Sequence, residues 1–280
     1  MPDILTDFSK ASAADAVEAN LFAFFQHLSN WPRVEVRDDG DCVCTISDLP
    51  FPLFNSVMRA TLDGERASSV IDARMQSCRD RGVPMLWWTG PSTRPSDLGQ
   101  RLSNLGFIVE PAFGMTADLK AGHSTNSVSG SDPETGIVAI ERVSDRATLD
   151  IWSQVLCDGF GAPRSFGEAF SEMAEAIGLD DDSPFRHYLA RIEDRPVATC
   201  SLFLGAGVAG IYDVSTLPER RRAGVGAAIT RRAMRDARDD GYRMAILHAS
   251  QQGLGMYRSL GFETICNIGQ HVWAPESLER

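Results

Sequence analysis

The residues best suited to chemistry lie in the run Val214-Ser215-Thr216-Leu217-Pro218-Glu219-Arg220-Arg221-Arg222-Ala223-Gly224-Val225-Gly226. An apolar stretch precedes it and an amphipathic one follows, so it reads as a strand-to-helix turn. Glycine lets the backbone approach a ligand closely and turn its N–H groups inward. At a helix N-terminus those N–H groups are unpaired, and the macrodipole favours an anion by ~0.3–1 kcal/mol, or up to ~2 kcal/mol when partly buried. Arg220, Arg221 and Arg222 enter the turn, and Arg231, Arg232 and Arg235 follow on the helix. In a chain of net charge -11 this is a basic island, and a ligand carrying several phosphates accounts for it. Two other phosphate motifs do not fit. No Gly-Lys-Ser/Thr closes a Walker turn. Gly224-Val225-Gly226-Ala227-Ala228-Ile229 ends in Ile where the dinucleotide fingerprint needs Gly or Ala.

The pattern R-x-x-G-x-G from Arg221 to Gly226, together with Tyr257-Arg258-Ser259-Leu260-Gly261-Phe262, resembles the GNAT superfamily of N-acetyltransferases. There the first is the coenzyme A pyrophosphate loop and the second a late Y-x-x-x-G-F element. The likeness runs from about Ile137 to Trp273. It implies an acyl-CoA, expected to be acetyl-CoA, cradled by Arg221, Arg222, Ala223, Gly224, Val225, Gly226 and Ala227. It also implies that the Val214 N–H receives the acyl carbonyl, a contact worth ~3 kcal/mol in the transition state. Thr216 would meet the pantetheine arm. Ser250, where many relatives carry asparagine, would bond the same arm, and Arg258 would join Tyr257 at the cofactor. Tyr257 would protonate or hydrogen-bond the departing thiolate. A tyrosine near pKa ~10 is a poor acid for a thiolate near ~8.5, a deficit of about 2 kcal/mol. Either the site lowers the Tyr257 pKa, or the hydroxyl acts as a hydrogen-bond donor.

The base is less legible. An amine of pKa ~10.4 must lose a proton before attack, at about 4.6 kcal/mol at pH 7. Some relatives place a glutamate on the strand before the loop; counting back from Arg221, that position is Gly210. Strand alternation puts Tyr212 on the Gly210 face and Asp213 on the other. A water chain, Tyr212, or an acid from elsewhere such as Glu172 is then expected to serve. The segment from Asp145 to Gly178 is expected to wall the acceptor, with Trp152, Phe160 and Phe166 lining it. His248 reads as a strand histidine in a core.

These side chains require elements to hold them. Periodicity predicts a strand over 137–143, a helix over 145–160, and a second helix capped by Ser165 with Glu168 completing the box. Strands follow over 185–192, 197–204 and 208–214, separated by turn residues. A helix over 225–240 closed by Gly241, a strand over 244–248, a short helix ending at Leu260 and a strand over 263–273 complete this half. The N-terminal half ends in the same order: helix 66–81 closed by Gly82, strand 84–89, short helix 96–105, extended chain 108–119. Leu105-Gly106-Phe107 matches Leu260-Gly261-Phe262. An internal duplication is inferred. Asp63-Gly64-Glu65 lacks the cofactor pattern, and Leu102 stands where Tyr257 stands. This half reads as a GNAT fold stripped of its cofactor loop.

The expected class is therefore α/β with a mixed α+β sheet, as two GNAT-like domains in tandem. Residues 1–120 form the degenerate domain, 121–135 a polar linker, and 136–280 the acyl-CoA-binding domain. With 280 residues, 43% hydrophobic and 23% charged, the chain is expected to fold as a globular protein. The acidic balance argues against nucleic acid as partner, and no apolar run suits a membrane. The N-terminus carries no basic n-region or apolar h-region. The six cysteines are scattered; Cys42 and Cys44 should share a strand face as buried thiols, and no metal is implied. A cytoplasmic monomer or homodimer is expected. The expected reaction is direct transfer of acetyl from acetyl-CoA to a primary amine of a small molecule. The alternatives are a non-catalytic acyl-CoA sensor, and an O-acyl or aminoacyl transferase on the same fold.

Overall fold

The computed structural model describes residues 3–120 and 138–275. In the N-terminal half, helix α1 (Lys10–His27) precedes strands β1 (Glu35–Asp38), β2 (Val43–Ile46) and β3 (Ser56–Met58). Helix α2 (Ala67–Arg81), strand β4 (Met85–Thr89), helix α3 (Leu98–Asn104) and strand β5 (Ile108–Asp118) follow. The C-terminal half opens with β6 (Val138–Arg142), α4 (Arg146–Phe160) and α5 (Arg164–Ile177). It continues with β7 (Phe185–Ile192), β8 (Arg195–Gly205), β9 (Val208–Thr216) and α6 (Val225–Asp239). Strand β10 (Met244–Ala249), helix α7 (Leu254–Ser259) and β11 (Glu263–Trp273) close it. The expected linker, 121–135, lies outside the described residues.

Local chemistry sets most of these boundaries. Asp145 accepts the Thr148 N–H at 2.8 Å and starts α4. Gly82, at φ 66°, closes α2. The second helix of the C-terminal half departs from expectation: it begins at Arg164, Pro163 holds the cap position, and no side chain caps it. Ser165 lies inside the first turn. Proline's fixed φ and missing N–H already suit a helix start.

All eleven strands form one sheet in the order β1-β2-β3-β4-β11-β5-β10-β9-β8-β7-β6. The middle of that order holds a feature absent from the sequence reading. The last strand of each half lies beside the other half's apolar strand. β11 pairs antiparallel with β4, from Gly269↔Thr89 to Trp273↔Met85. β5 pairs antiparallel with β10, from Met244↔Asp118 to Ala249↔Phe113. β5 and β11 also pair with each other at the centre. The two halves have exchanged closing strands, so their cores are shared. Helix α1 contributes Val17, Leu21, Phe24 and Phe25 to a core that also contains Trp152, Phe170, Phe185 and Phe203 of the C-terminal half. A second core lies under α6 and α7 on the other face, with Ile211, Ile229, Leu247 and Tyr257. A third lies under α2 and α3, with Cys42 and Cys44 in it, both buried on one face as alternation requires.

Candidate active site

The glycine turn is open where an anion would bind. Arg222 and Gly224 both take left-handed backbone, at φ 62° and 76°, which folds successive N–H groups toward one side. Gly224 is the cap residue of α6, and no side chain caps the helix. The equivalent turn of the N-terminal half is partly closed. There the carbonyl of Asp63 accepts from Arg66 and Ala67 N–H, at 3.1 and 2.9 Å. The Asp63 carboxylate also accepts the Glu65 N–H at 3.1 Å. No side chain caps either helix; the Arg66 and Ala67 N–H groups are taken by Asp63, whereas the matching Gly224 and Val225 N–H groups have no partner.

Beside the turn the sheet parts. β9 pairs with β10 only from Ala209↔Ala245 to Ile211↔Leu247, although both strands run further. Opposite β8 the register shifts between Thr199 and Ser201, and Asp213 takes φ 53°. This bulge tilts β9 away from β10 and leaves Val214 bordering the gap. In the N-terminal half Arg59 holds the matching left-handed residue, φ 54°. The gap there is filled: the Arg94 N–H donates to Ala60 O at 2.8 Å, and Arg94 O accepts the Leu62 N–H at 2.9 Å. Residues 90–97 connect β4 to α3, against 250–253 between β10 and α7. The longer connection supplies the plug, pinned by buried Glu18, which accepts from Ser92 N and Oγ at 2.9 Å each.

Of the expected cofactor residues, Gly226 and Thr216 meet beside this gap. A Cβ on Gly226 would stand 3.1 Å from Met256 Sδ and 3.4 Å from Thr216 Oγ1, so α6 and Thr216 approach each other over a glycine. Val225 is buried beneath the turn, Ala223 and Ala227 are half-buried, and Arg222 and Arg258 are exposed. Ser250 Oγ accepts the Gly253 N–H at 3.3 Å and holds the turn after β10. Arg221 was expected to reach the phosphates. Its guanidinium instead donates to Thr216 O at 3.1 Å and Gly159 O at 2.7 Å, bracing the turn against the end of α4. Arg232 is likewise spent on Asp236, at 2.9 Å.

Tyr257 is buried, its ring edge-on to Phe262 at 5.9 Å. It lies over Gly253, where a Cβ would stand 2.9 Å from the ring. Burial pushes its pKa up, with a smaller push from Cys200. Of the two roles open to it, the raised pKa favours hydrogen-bond donation over acid strength.

Two of the expected bases, Tyr212 and Glu172, are engaged elsewhere. Tyr212 donates its hydroxyl to Asn20 Oδ1 at 2.7 Å, and burial raises its pKa, with Asp213 adding to the rise. Asn20, from α1, also donates to Gly205 O at 2.9 Å. A Cβ at Gly210 would meet Asn20 Oδ1 at 2.1 Å, so the amide fills the place a glutamate would take. Glu172 is paired with Arg33 at 2.8 Å, and both are half-exposed. The acceptor wall also needs correcting. Trp152 is fully buried, its Nε1 donating to Tyr188 O at 3.0 Å. Phe166 stacks on Phe54 at 5.9 Å in the seam between the halves. Phe160 is 60% exposed, next to the Gly159 carbonyl that Arg221 holds. His248 has its Nε2 buried without a partner, and burial lowers its pKa to about 4.

Sequence reasoning missed Asp213. Alternation assigned it to the opposite face, but a bulge breaks alternation, and no residue type announces the bulge. Desolvation raises the pKa of the Asp213 carboxyl to about 6, with the nearby Ser201 hydroxyl opposing the rise.

Comparison with known proteins bears on the same stretch. Residues 206–265 match the family model described as an acetyltransferase (GNAT) domain. The fold over most of the chain is also that of GNAT proteins. A GCN5-related N-acetyltransferase from Kribbella flavida is 16% identical, with TM-score 0.66, over 93% of this chain and 97% of its own. One from Sphaerobacter thermophilus is 19% identical, with TM-score 0.60, over 95% and 93%. A glucosamine N-acetyltransferase region in a fungal multi-domain GH3 beta-N-acetylglucosaminidase is 14% identical, with TM-score 0.58, over 96% of this chain and 38% of that one. No curated protein matches the sequence. No helix among the described residues is long and apolar enough to cross a membrane.

Proposed function

We propose that the protein is an N-acetyltransferase that moves an acetyl group from acetyl-CoA to the primary amine of a small molecule, using one site in its C-terminal half. The observation that carries this reading is the contrast between the halves. The Gly224 and Val225 N–H groups have no partner and stand beside parted strands, while the matching Arg66 and Ala67 N–H groups are taken by Asp63 and the gap of the N-terminal half is filled by Arg94. The turn would hold the pyrophosphate by backbone donors, with Arg222 nearby and Arg221 keeping the turn in place. Gly226 and Thr216 would leave room for the pantetheine arm. Val214, at the bulge, would donate its N–H to the thioester oxygen as negative charge develops there. Tyr257 would donate a hydrogen bond to the sulfur as it leaves. Phe160 would border the acceptor entrance. The test is a panel of amines scored for acetyl-CoA-dependent thiol release, with calorimetry of CoA binding. Binding with no release to any acceptor would reject catalysis and leave a sensor; release to alcohols alone would reject the amine.

A further inference from the structure

Once Tyr212, Glu172 and the Gly210 position are set aside, one carboxyl at the parted strands has no structural occupation. Asp213 lies on the bulge itself, immediately before Val214. None of the ion pairs among the described residues includes it, in a chain where Asp236, Asp240 and Glu141 are each paired with an arginine. The Ser201 hydroxyl lies near the Asp213 carboxyl and favours the ionised form. Ser201 Oγ is in turn 2.8 Å from His187 Nδ1, on the neighbouring strand in direct register. His187 is buried, its Nε2 without a partner, between Phe185 at 4.3 Å and Trp152 at 4.8 Å. The string Asp213–Ser201–His187 therefore crosses β9, β8 and β7 on the face covered by α4 and α5. Asp213 is partly buried, and a carboxyl desolvated without a cation beside it is disfavoured in its ionised form. Groups left in that state cluster at reacting sites.

We propose that Asp213 is the general base of the transfer, and that Ser201, held by His187, positions its carboxylate. This rests on the acetyltransferase reading above. The Asp213 carboxylate takes one proton from the acceptor ammonium. The freed nitrogen lone pair attacks the thioester carbon, so a C–N bond forms and the C–S bond breaks. The sulfur leaves with the electron pair and takes up the second N–H proton, with Tyr257 donating a hydrogen bond to it. Asp213 returns its proton to solvent, so the sum is amide, free thiol and one released proton.

The groups around Asp213 leave the pH window clear. On β8, burial keeps Cys200 a thiol. On β9, Tyr212 stays protonated. On β7, His187 is lowered to about 3 by burial and stays neutral. On β10, His248, 6.2 Å from Tyr212, lies at about 4. From α4, Trp152 faces the string and carries no titrating group. An activity limb near pH 6 would belong to Asp213.

The test uses the full chain as wild type, Asp213→Asn, Asp213→Glu and Ser201→Ala, with thiol release from acetyl-CoA followed over pH 5–9. Both amines and water serve as acceptors. Asp213→Asn should lower kcat by roughly 10²–10⁴, leave CoA affinity in calorimetry unchanged, and remove the acid limb. Asp213→Glu should restore part of the rate. Ser201→Ala should move the limb to higher pH, because the lost hydroxyl stabilised the ionised form. Turnover by Asp213→Asn within threefold of wild type, or a limb unmoved in both variants, overturns the assignment and leaves the acetyltransferase reading standing. A wild type that binds CoA but releases no thiol to any acceptor or to water overturns both.

Discussion

Three side chains near the gap make separable demands on pH and rate. Tyr257 has its pKa pushed up by burial, so it should stay protonated throughout the usable range. Tyr257→Phe should reduce kcat by about tenfold to a hundredfold with CoA affinity unchanged, because the hydroxyl acts on a thiolate formed late. Neither enzyme should show a falling alkaline limb below pH 10; a limb that vanishes in the variant would mean a lowered pKa and an acid role. Asp213 makes a stability prediction of its own. Its folded pKa, about 6, lies above the 3.8 of a free aspartate. Its contribution to stability is therefore fully present below pH 3.8 and is lost as pH rises through 6. Asp213→Asn should stabilise the protein at pH 8 by up to about 3 kcal/mol and change little at pH 3.5. Equal Tm values at pH 8 would mean that the carboxyl is better solvated than its burial implies. His187 has the opposite sign. Its pKa falls from 6.5 to about 3, so its contribution is present above 6.5 and lost as the pH drops. His187→Gln should flatten the fall of Tm between pH 6.5 and 4.

Turns and helix ends decide which half can bind. Gly224 needs its left-handed backbone, and Gly226 needs the absence of a Cβ beside Met256 and Thr216. Gly224→Val and Gly226→Val should each abolish CoA binding in calorimetry while far-UV circular dichroism stays near wild type. Binding retained in both would put the cofactor elsewhere. Helix α1 is the less obvious participant. Asn20 joins Tyr212 to the carbonyls of the β8–β9 hairpin, so a helix from the N-terminal half packs against the strand that leads into the proposed site. Removing that amide leaves a buried tyrosine hydroxyl unpaired, at roughly 1–3 kcal/mol. Asn20→Ala should lower Tm accordingly; an unchanged Tm would mean that a water replaces the amide.

The exchange of β5 and β11 makes the two halves one folding unit. β4 without β11, or β10 without β5, would leave a buried strand with unpaired N–H and C=O groups along its length. Residues 1–120 and 121–280 made separately should therefore each fail to melt cooperatively, and should regain a cooperative transition and CoA binding only when produced together. A stable CoA-binding fragment 121–280 would show that its closing strand can return to β10. Residues 1–120 should not bind CoA in any case, because Arg94 fills the gap and Asp63 takes the Arg66 and Ala67 N–H groups.

Much of this was legible without coordinates, and the division follows range. The glycine turn, the Tyr257 element and nearly every helix and strand of the C-terminal half are recorded in short spacings, since caps, dipoles and periodicity act over a few residues. The duplication showed in the repeat of helix, strand, helix and Leu-Gly-Phe. Which strand each closing strand would join could not be read, because β5 and β11 have similar partners in both halves and pairing energy does not depend on the connection between them. The fate of Arg221, the burial of Trp152 and the stacking of Phe166 on Phe54 depend on neighbours distant in sequence. Asp213 illustrates the same limit most sharply. Its residue type and position were visible, but its face, its bare carboxyl and its link to His187 exist only because a bulge opposite β8 turns the backbone to positive φ.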